Sequence, residues 1–150
     1  MPQSLSYLLV HIVFSTKERT PLLNAQIRPD LYAYLATVAR NQGCECYRVG
    51  GTDDHMHLAV RLSRTLTSAK LVEELKTQSS KWLKMQSPSL AAFAWQAGYG
   101  VFSLGASGQE ALLRYIDGQE EHHKKRSFQD EYRALLKEYG VEFDEQYVWG

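Results

Sequence analysis

His55 and His57 flank Met56 in a stretch, Asp54 to Leu62, that reads as a β-strand. Strand side chains alternate faces with period two, so the two imidazoles point the same way while Met56 and Leu58 point the other. Two histidines on one sheet face can hold a metal, polarise a phosphate, or both. Further along, Tyr115 and Gln119 sit in a helical stretch at positions i and i+4, which stacks them on one helix face. Two imidazoles, an amide oxygen and a phenol are the parts of a metal-assisted phosphoryl-transfer site with a tyrosine nucleophile.

Each residue also has a plainer use. Core histidines satisfied by backbone carbonyls are common, and Tyr115 is one of nine tyrosines. Two other His-x-His chemistries fail on the residues present. A histidine-triad nucleotide hydrolase needs a third histidine on the same face, where Ala59 stands, and a two-histidine phosphoesterase needs two His-x-Thr/Ser motifs. His11, in an apolar strand, reads as structural.

The elements that must position these groups follow from periodicity. Ser6 to Ser15 is apolar and β-branched, with Tyr7, Leu9, His11 and Val13 on one side and Leu8, Val10, Ile12 and Phe14 on the other. Both faces are expected to be buried, as in a central strand. Pro29 starts a helix that carries Leu31, Leu35, Val38 and Ala39 as far as Gly43. Cys44 to Val49 and His55 to Leu62 form a hairpin across Gly50-Gly51-Thr52-Asp53. Thr67 to Gln86 is an amphipathic helix with Leu71, Leu75, Trp82 and Leu83 inward and Lys70, Lys81 and Lys84 outward, stopped by Pro88. Tyr99 to Leu104 is a fourth strand. The order predicts an α+β fold of the ferredoxin-like split β-α-β-β-α-β kind, an antiparallel sheet with two helices on one face, to which a C-terminal tyrosine-bearing helix is added.

That added helix is expected over Gln109 to Lys124, after a flexible Gly105-Ala106-Ser107-Gly108 connector in which Ser107 can cap it. Gly118 is a weak point, since glycine costs a helix interior about 1 kcal/mol against alanine. A further helix from Phe128 to Tyr139 ends at Gly140, and the tail with Phe143, Tyr147 and Trp149 is aromatic enough to pack on something. Residues 1–150 read as a single domain, with no repeat or low-complexity segment.

Four segments in order resemble one family: Val10-His11-Ile12-Val13-Phe14-Ser15-Thr16-Lys17, Gly51-Thr52-Asp53-Asp54-His55-Met56-His57-Leu58, Trp95-Gln96-Ala97-Gly98-Tyr99-Gly100-Val101-Phe102-Ser103, and Tyr115-Ile116-Asp117-Gly118-Gln119-Glu120-Glu121-His122-His123. They are similar to the HUH-type single-tyrosine transposases of small bacterial insertion sequences (the IS200-like family) and their domesticated relatives at repetitive extragenic palindromes (REP). The resemblance covers nearly the whole chain. It implies that Tyr115 is the nucleophile and forms a 5′-phosphotyrosine link with a free 3′-hydroxyl. It also implies that His55, His57 and Gln119 hold Mg²⁺ or Mn²⁺. His122, seven residues after Tyr115, competes as third ligand, and the family pattern favours Gln119. Such a ligand set is neutral and leaves a divalent cation its full charge.

The resemblance further implies a DNA transposase and endonuclease acting on single-stranded, hairpin-containing ends, as a homodimer with active sites shared in trans. A domesticated palindrome-processing nickase is the nearest alternative. A non-enzymatic ferredoxin-like nucleic-acid-binding module is the distant one, with no need for the four residues together. The formal charge is zero, which argues against indiscriminate coating of nucleic acid but allows a local basic groove. Lys17, Arg19, Arg61, Arg64, Lys124 and Lys125 are the candidate DNA contacts. No run of about 18 apolar residues and no basic-then-apolar leader occurs, so a bacterial cytoplasmic, nucleoid-associated protein is expected. Cys44 and Cys46, without further partners, read as ordinary reduced thiols.

Overall fold

A computed structural model describes residues 2–150. Four strands, β1 (Leu9–Ser15), β2 (Glu45–Gly51), β3 (His55–Arg61) and β4 (Gly100–Leu104), form one antiparallel sheet in the order β2-β3-β1-β4. Helices α1 (Arg28–Asn41) and α2 (Ser68–Lys84) complete the β-α-β-β-α-β unit. No helix among the described residues is long and apolar enough to cross a membrane.

Period two separates the two faces of the sheet. Val10, Ile12, Phe14, Met56, Leu58 and Val60 meet Leu31, Leu35, Val38, Leu71, Leu75 and Leu83 of α1 and α2 in the larger core. The Thr67 hydroxyl accepts from the Lys70 amide and caps α2. Trp82, expected to face inward, is only partly buried and stacks on Tyr34, with ring centroids 5.0 Å apart. β1 is buried on both faces from Leu9 onward, but Tyr7 and Leu8 are 41% and 49% exposed. The strand begins two residues after Tyr7, at Leu9.

The opposite face is covered by the C-terminal third, α3 (Gln109–Asp117), α4 (Gln119–Lys125) and α5 (Phe128–Glu138). Leu112 and Ile116 of α3 pack on Leu9 and Ala59, while Phe128, Tyr132, Leu135 and Leu136 of α5 pack on Val13 and Phe102. Glycine permits both contacts. A Cβ on Gly50 would lie 2.7 Å from Ile116 Cγ2 and 2.9 Å from its carbonyl oxygen, and one on Gly100 would lie 2.7 Å from Tyr132.

Two expectations for this part are corrected. The connector is not a loose tether: Ala106–Gly108 is a 3-10 turn, and Gly105 and Gly108 have ordinary negative φ of −72° and −87°. Ser107 caps nothing, because Gly108 takes the cap position. The tyrosine helix is also not continuous. Gly118 leaves helical geometry, with ψ near 7°, and divides α3 from α4. The tail packs only in part: Val148 and Trp149 join the α5 cluster, and Arg19 and Arg133 approach the Trp149 ring, whereas Phe143 and Tyr147 stay exposed.

Candidate active site

On the α3–α5 face the central strands carry imidazoles among Leu9, Val13 and Ala59, where the other face is apolar throughout. His55 and His57 of β3 are 1% and 0% exposed. Antiparallel pairing sets His11 of β1 opposite Ala59, one step along that face from His57. His11 therefore supplies the third imidazole that β3 lacks, with its Nε2 2.7 Å from His57 Nδ1 and the rings stacked 4.9 Å apart.

Gly118 breaks the helix without separating Tyr115 from Gln119, since the Gly118 amide still donates to the Arg114 carbonyl. Gln119 Oε1 lies 2.9 Å from His55 Nε2, whereas His122, 40% exposed at its side chain, lies 3.7 Å from Glu131 and edge-on to the Tyr115 ring, with centroids 5.6 Å apart. The structure thus brings Gln119, and not His122, to the imidazoles.

The residue that sequence reading missed is Glu131. It sits on the inward stripe of α5 and is 3% exposed. Its Oε1 accepts from His57 Nε2 at 3.0 Å and lies 3.4 Å from His55 Nε2. Its Oε2 accepts from the Tyr115 hydroxyl at 2.7 Å and from Gln119 Nε2 at 3.1 Å. One carboxylate therefore joins all four residues singled out from the sequence. A charged side chain amid Phe128, Tyr132 and Leu135 at helical spacing was the available signal, because a buried carboxylate needs partners.

Electrostatics follow from these bonds. Burial opposes ionisation of Glu131, but the bonds from His55 and His57 outweigh it and hold the carboxyl well below its usual range. Burial also works against a charged His55, yet Asp54 at Nδ1 (2.7 Å), with Glu131 and Gln119 at the other side of the ring, raises it to about 9. Burial pushes His57 and His11 below the ordinary imidazole value. Burial, then the charge of Glu131, pushes the Tyr115 phenol well above its ordinary value, so it rests protonated as a donor.

The donor set suits a divalent cation. His55, His57 and Glu131 offer ligand atoms lying within 4.8 Å of one another. The Nδ1 atoms are engaged by Asp54 and His11, which leaves both Nε2 atoms facing the carboxylate. With Glu131 included the set is anionic, not neutral as expected from His55, His57 and Gln119 alone. Cys44 and Cys46 are free thiols away from this cluster, and burial raises Cys46 to about 11.

The candidate DNA-contacting residues fall into two groups. Ser15 pairs with His55, so Lys17 and Arg19 lie at the histidine end of the sheet. Lys124 and Lys125 follow His123, whose Nε2 is 3.4 Å from Asp53, and share that end. Arg19 is engaged there with the Trp149 carbonyl, and Lys124 with Glu121. Arg61 pairs with Leu9 at the far end of β3, roughly 20 Å away at strand spacing, where it bonds the Ser6 carbonyl, and Arg64 follows it.

The profile of the family described as "Transposase IS200 like" matches residues 4–119. The chain belongs to the IS200-like transposase family. The match ends at Gln119, so the α5 helix with Glu131 lies beyond it. Among solved structures, this transposase is similar to a transposase candidate from Deinococcus radiodurans R1, with a TM-score of 0.60 and 22% identity over 79% of this chain and 98% of that one. It is also similar to a REP-associated tyrosine transposase bound to a REP hairpin, with a TM-score of 0.58 and 16% identity over 82% and 74%. At these identities the likeness is one of fold. No curated protein matches the sequence.

Proposed function

We propose that this chain, as one transposase domain over residues 1–150, cleaves and rejoins single-stranded DNA at hairpin-bearing ends through a 5′-phosphotyrosine link on Tyr115. The observation that carries the reading is the shared carboxylate, which bonds the Tyr115 hydroxyl at one oxygen and His57 at the other. His55 Nε2, His57 Nε2, Gln119 Oε1 and Glu131 Oε1 would hold the cation, Mg²⁺ or Mn²⁺, with the mixed nitrogen and oxygen donors favouring Mn²⁺. When bound, it supplies Lewis-acid polarisation of a non-bridging phosphate oxygen.

The chain's own groups do the rest. The Tyr115 O–H bond breaks and its proton passes to Glu131 Oε2. The phenolic oxygen bonds to phosphorus as the P–O3′ bond breaks, and the departing oxygen takes a proton from water to become a free 3′-hydroxyl. The new ester conserves the energy of the old one, so rejoining by reversal needs no ATP. Lys17, Arg19, Lys124 and Lys125 lie where flanking strand would enter, and Arg61 and Arg64 are far enough away to meet a hairpin stem. The hairpin bound by the REP-associated relative supports this kind of substrate. Such a substrate places the protein at the nucleoid of a bacterial cytoplasm.

In this chain α3–α5 docks on its own sheet, so one chain contains a whole site. The homodimer with sites shared in trans that the resemblance implies would exchange this unit about the Ala106–Gly108 turn. Co-expression of Tyr115→Phe with His57→Ala reads this directly, since only exchange restores one intact site. Mixed dimers without recovered cleavage would mean that each unit serves its own sheet.

The test of the reading is incubation with hairpin-bearing single strands and Mn²⁺. A covalent adduct that disappears with chelator is expected, and cleavage at an unchanged rate in excess chelator would overturn the metal-assisted step.

A further inference from the structure

His11 lies outside the set that the proposed chemistry uses, yet it is 3% exposed and its only side-chain hydrogen bond among the described residues is to His57. The direction of that bond follows from its neighbours. Glu131 is ionised and accepts only, so His57 Nε2 carries the proton between them. A neutral His57 then has a lone pair at Nδ1, and His11 Nε2–H must donate to it across 2.7 Å.

A cation at His57 Nε2 requires the reverse. Nε2 must give up its proton and offer a lone pair, and a neutral His57 then carries its proton on Nδ1. That proton needs an acceptor in a place water does not reach. Among the described residues His11 Nε2 is the only hydrogen-bond partner there, and it can accept once the His11 proton sits on Nδ1.

We infer that His11 is a positioning residue for the cation site: its ring donates to His57 in the metal-free protein and accepts from it in the loaded protein, so that His57 changes tautomer without becoming charged or losing its hydrogen bond. The proton balance closes. His57 Nε2 releases one proton to solvent, the shared proton shifts from His11 Nε2 to His57 Nδ1, and His11 Nδ1 takes one up. A side chain that only donates or only accepts would stabilise one state alone. The inference rests on the cation-binding reading of the same site.

The test uses the full chain. Mn²⁺ affinity is measured by electron paramagnetic resonance for the wild type, His57→Ala, His11→Phe and His11→Gln, with circular dichroism to confirm folding. His11→Phe keeps a ring but neither nitrogen, and about 10- to 100-fold weaker binding is expected. His11→Gln, whose amide can donate or accept, should recover part of that loss. In wild-type protein, long-range ¹H–¹⁵N spectra should show both rings protonated at Nε2 without metal and both at Nδ1 with Zn²⁺ as a diamagnetic probe. Wild-type affinity in His11→Phe, or a His11 still protonated at Nε2 in the loaded state, overturns the inference while leaving the cation site standing if His57→Ala binds weakly. Wild-type protein that takes up no Mn²⁺ overturns both.

Discussion

The Tyr115 hydroxyl donates to Glu131 Oε2 at 2.7 Å, although the two residues lie 16 apart on different helices. The other oxygen of the same carboxylate accepts from His57. Nucleophile and metal-ligand candidates are thereby held in register by a residue beyond the segment that carries the family likeness.

Glu131→Gln should keep the shape of the site and remove its charge. Mn²⁺ affinity is expected to fall by at least about tenfold, and cleavage by about 10²-fold or more because the phenolic proton loses its acceptor. Circular dichroism should show the fold retained. Wild-type cleavage by this variant would assign Glu131 a packing role only.

Cation uptake should depend on pH in a stated direction. His55 is raised to about 9, so below that pH the metal-free ring carries a proton that a cation at Nε2 must displace. Affinity should weaken about tenfold for each unit that pH falls from 8.5 to 6.5 and level off as pH approaches 9. Mn²⁺ titrations across that range, with calorimetry in two buffers to count released protons, check it. An affinity independent of pH would mean that His55 is not a ligand.

Gly50→Ala places a Cβ 2.9 Å from the rigid backbone oxygen of Ile116, so α3 must shift off β2. A loss of about 1–3 kcal/mol is expected, read as a lower urea midpoint, with weaker cleavage because Tyr115 moves with the helix. An unchanged midpoint would show that α3 is not seated on β2 as described.

The sequence was informative where geometry is local. Period two put His55 and His57 on one face, and helical spacing put Tyr115 above Gln119. Helix boundaries were legible from Pro29, Thr67 and Gly140. What escaped was set by non-local pairing. His11 meets His57 only because β1 and β3 pair in the register Val13↔His57, which nothing near His11 specifies. Glu131 reaches the site because α5 returns over the sheet. Gly105 and Gly108 misled in the opposite sense, since glycine permits unusual backbone geometry but here adopts ordinary geometry.

The central claim, that Tyr115 attacks DNA, is tested most directly by intact-protein and peptide mass spectrometry after incubation with a hairpin-bearing single strand and Mn²⁺. Wild-type protein should carry a nucleotide adduct on the peptide containing Tyr115. Tyr115→Phe should carry none while binding the hairpin within a few-fold of wild type, because only a hydroxyl is removed. An adduct that persists in Tyr115→Phe, or one that maps to another tyrosine such as Tyr132, would contradict the account.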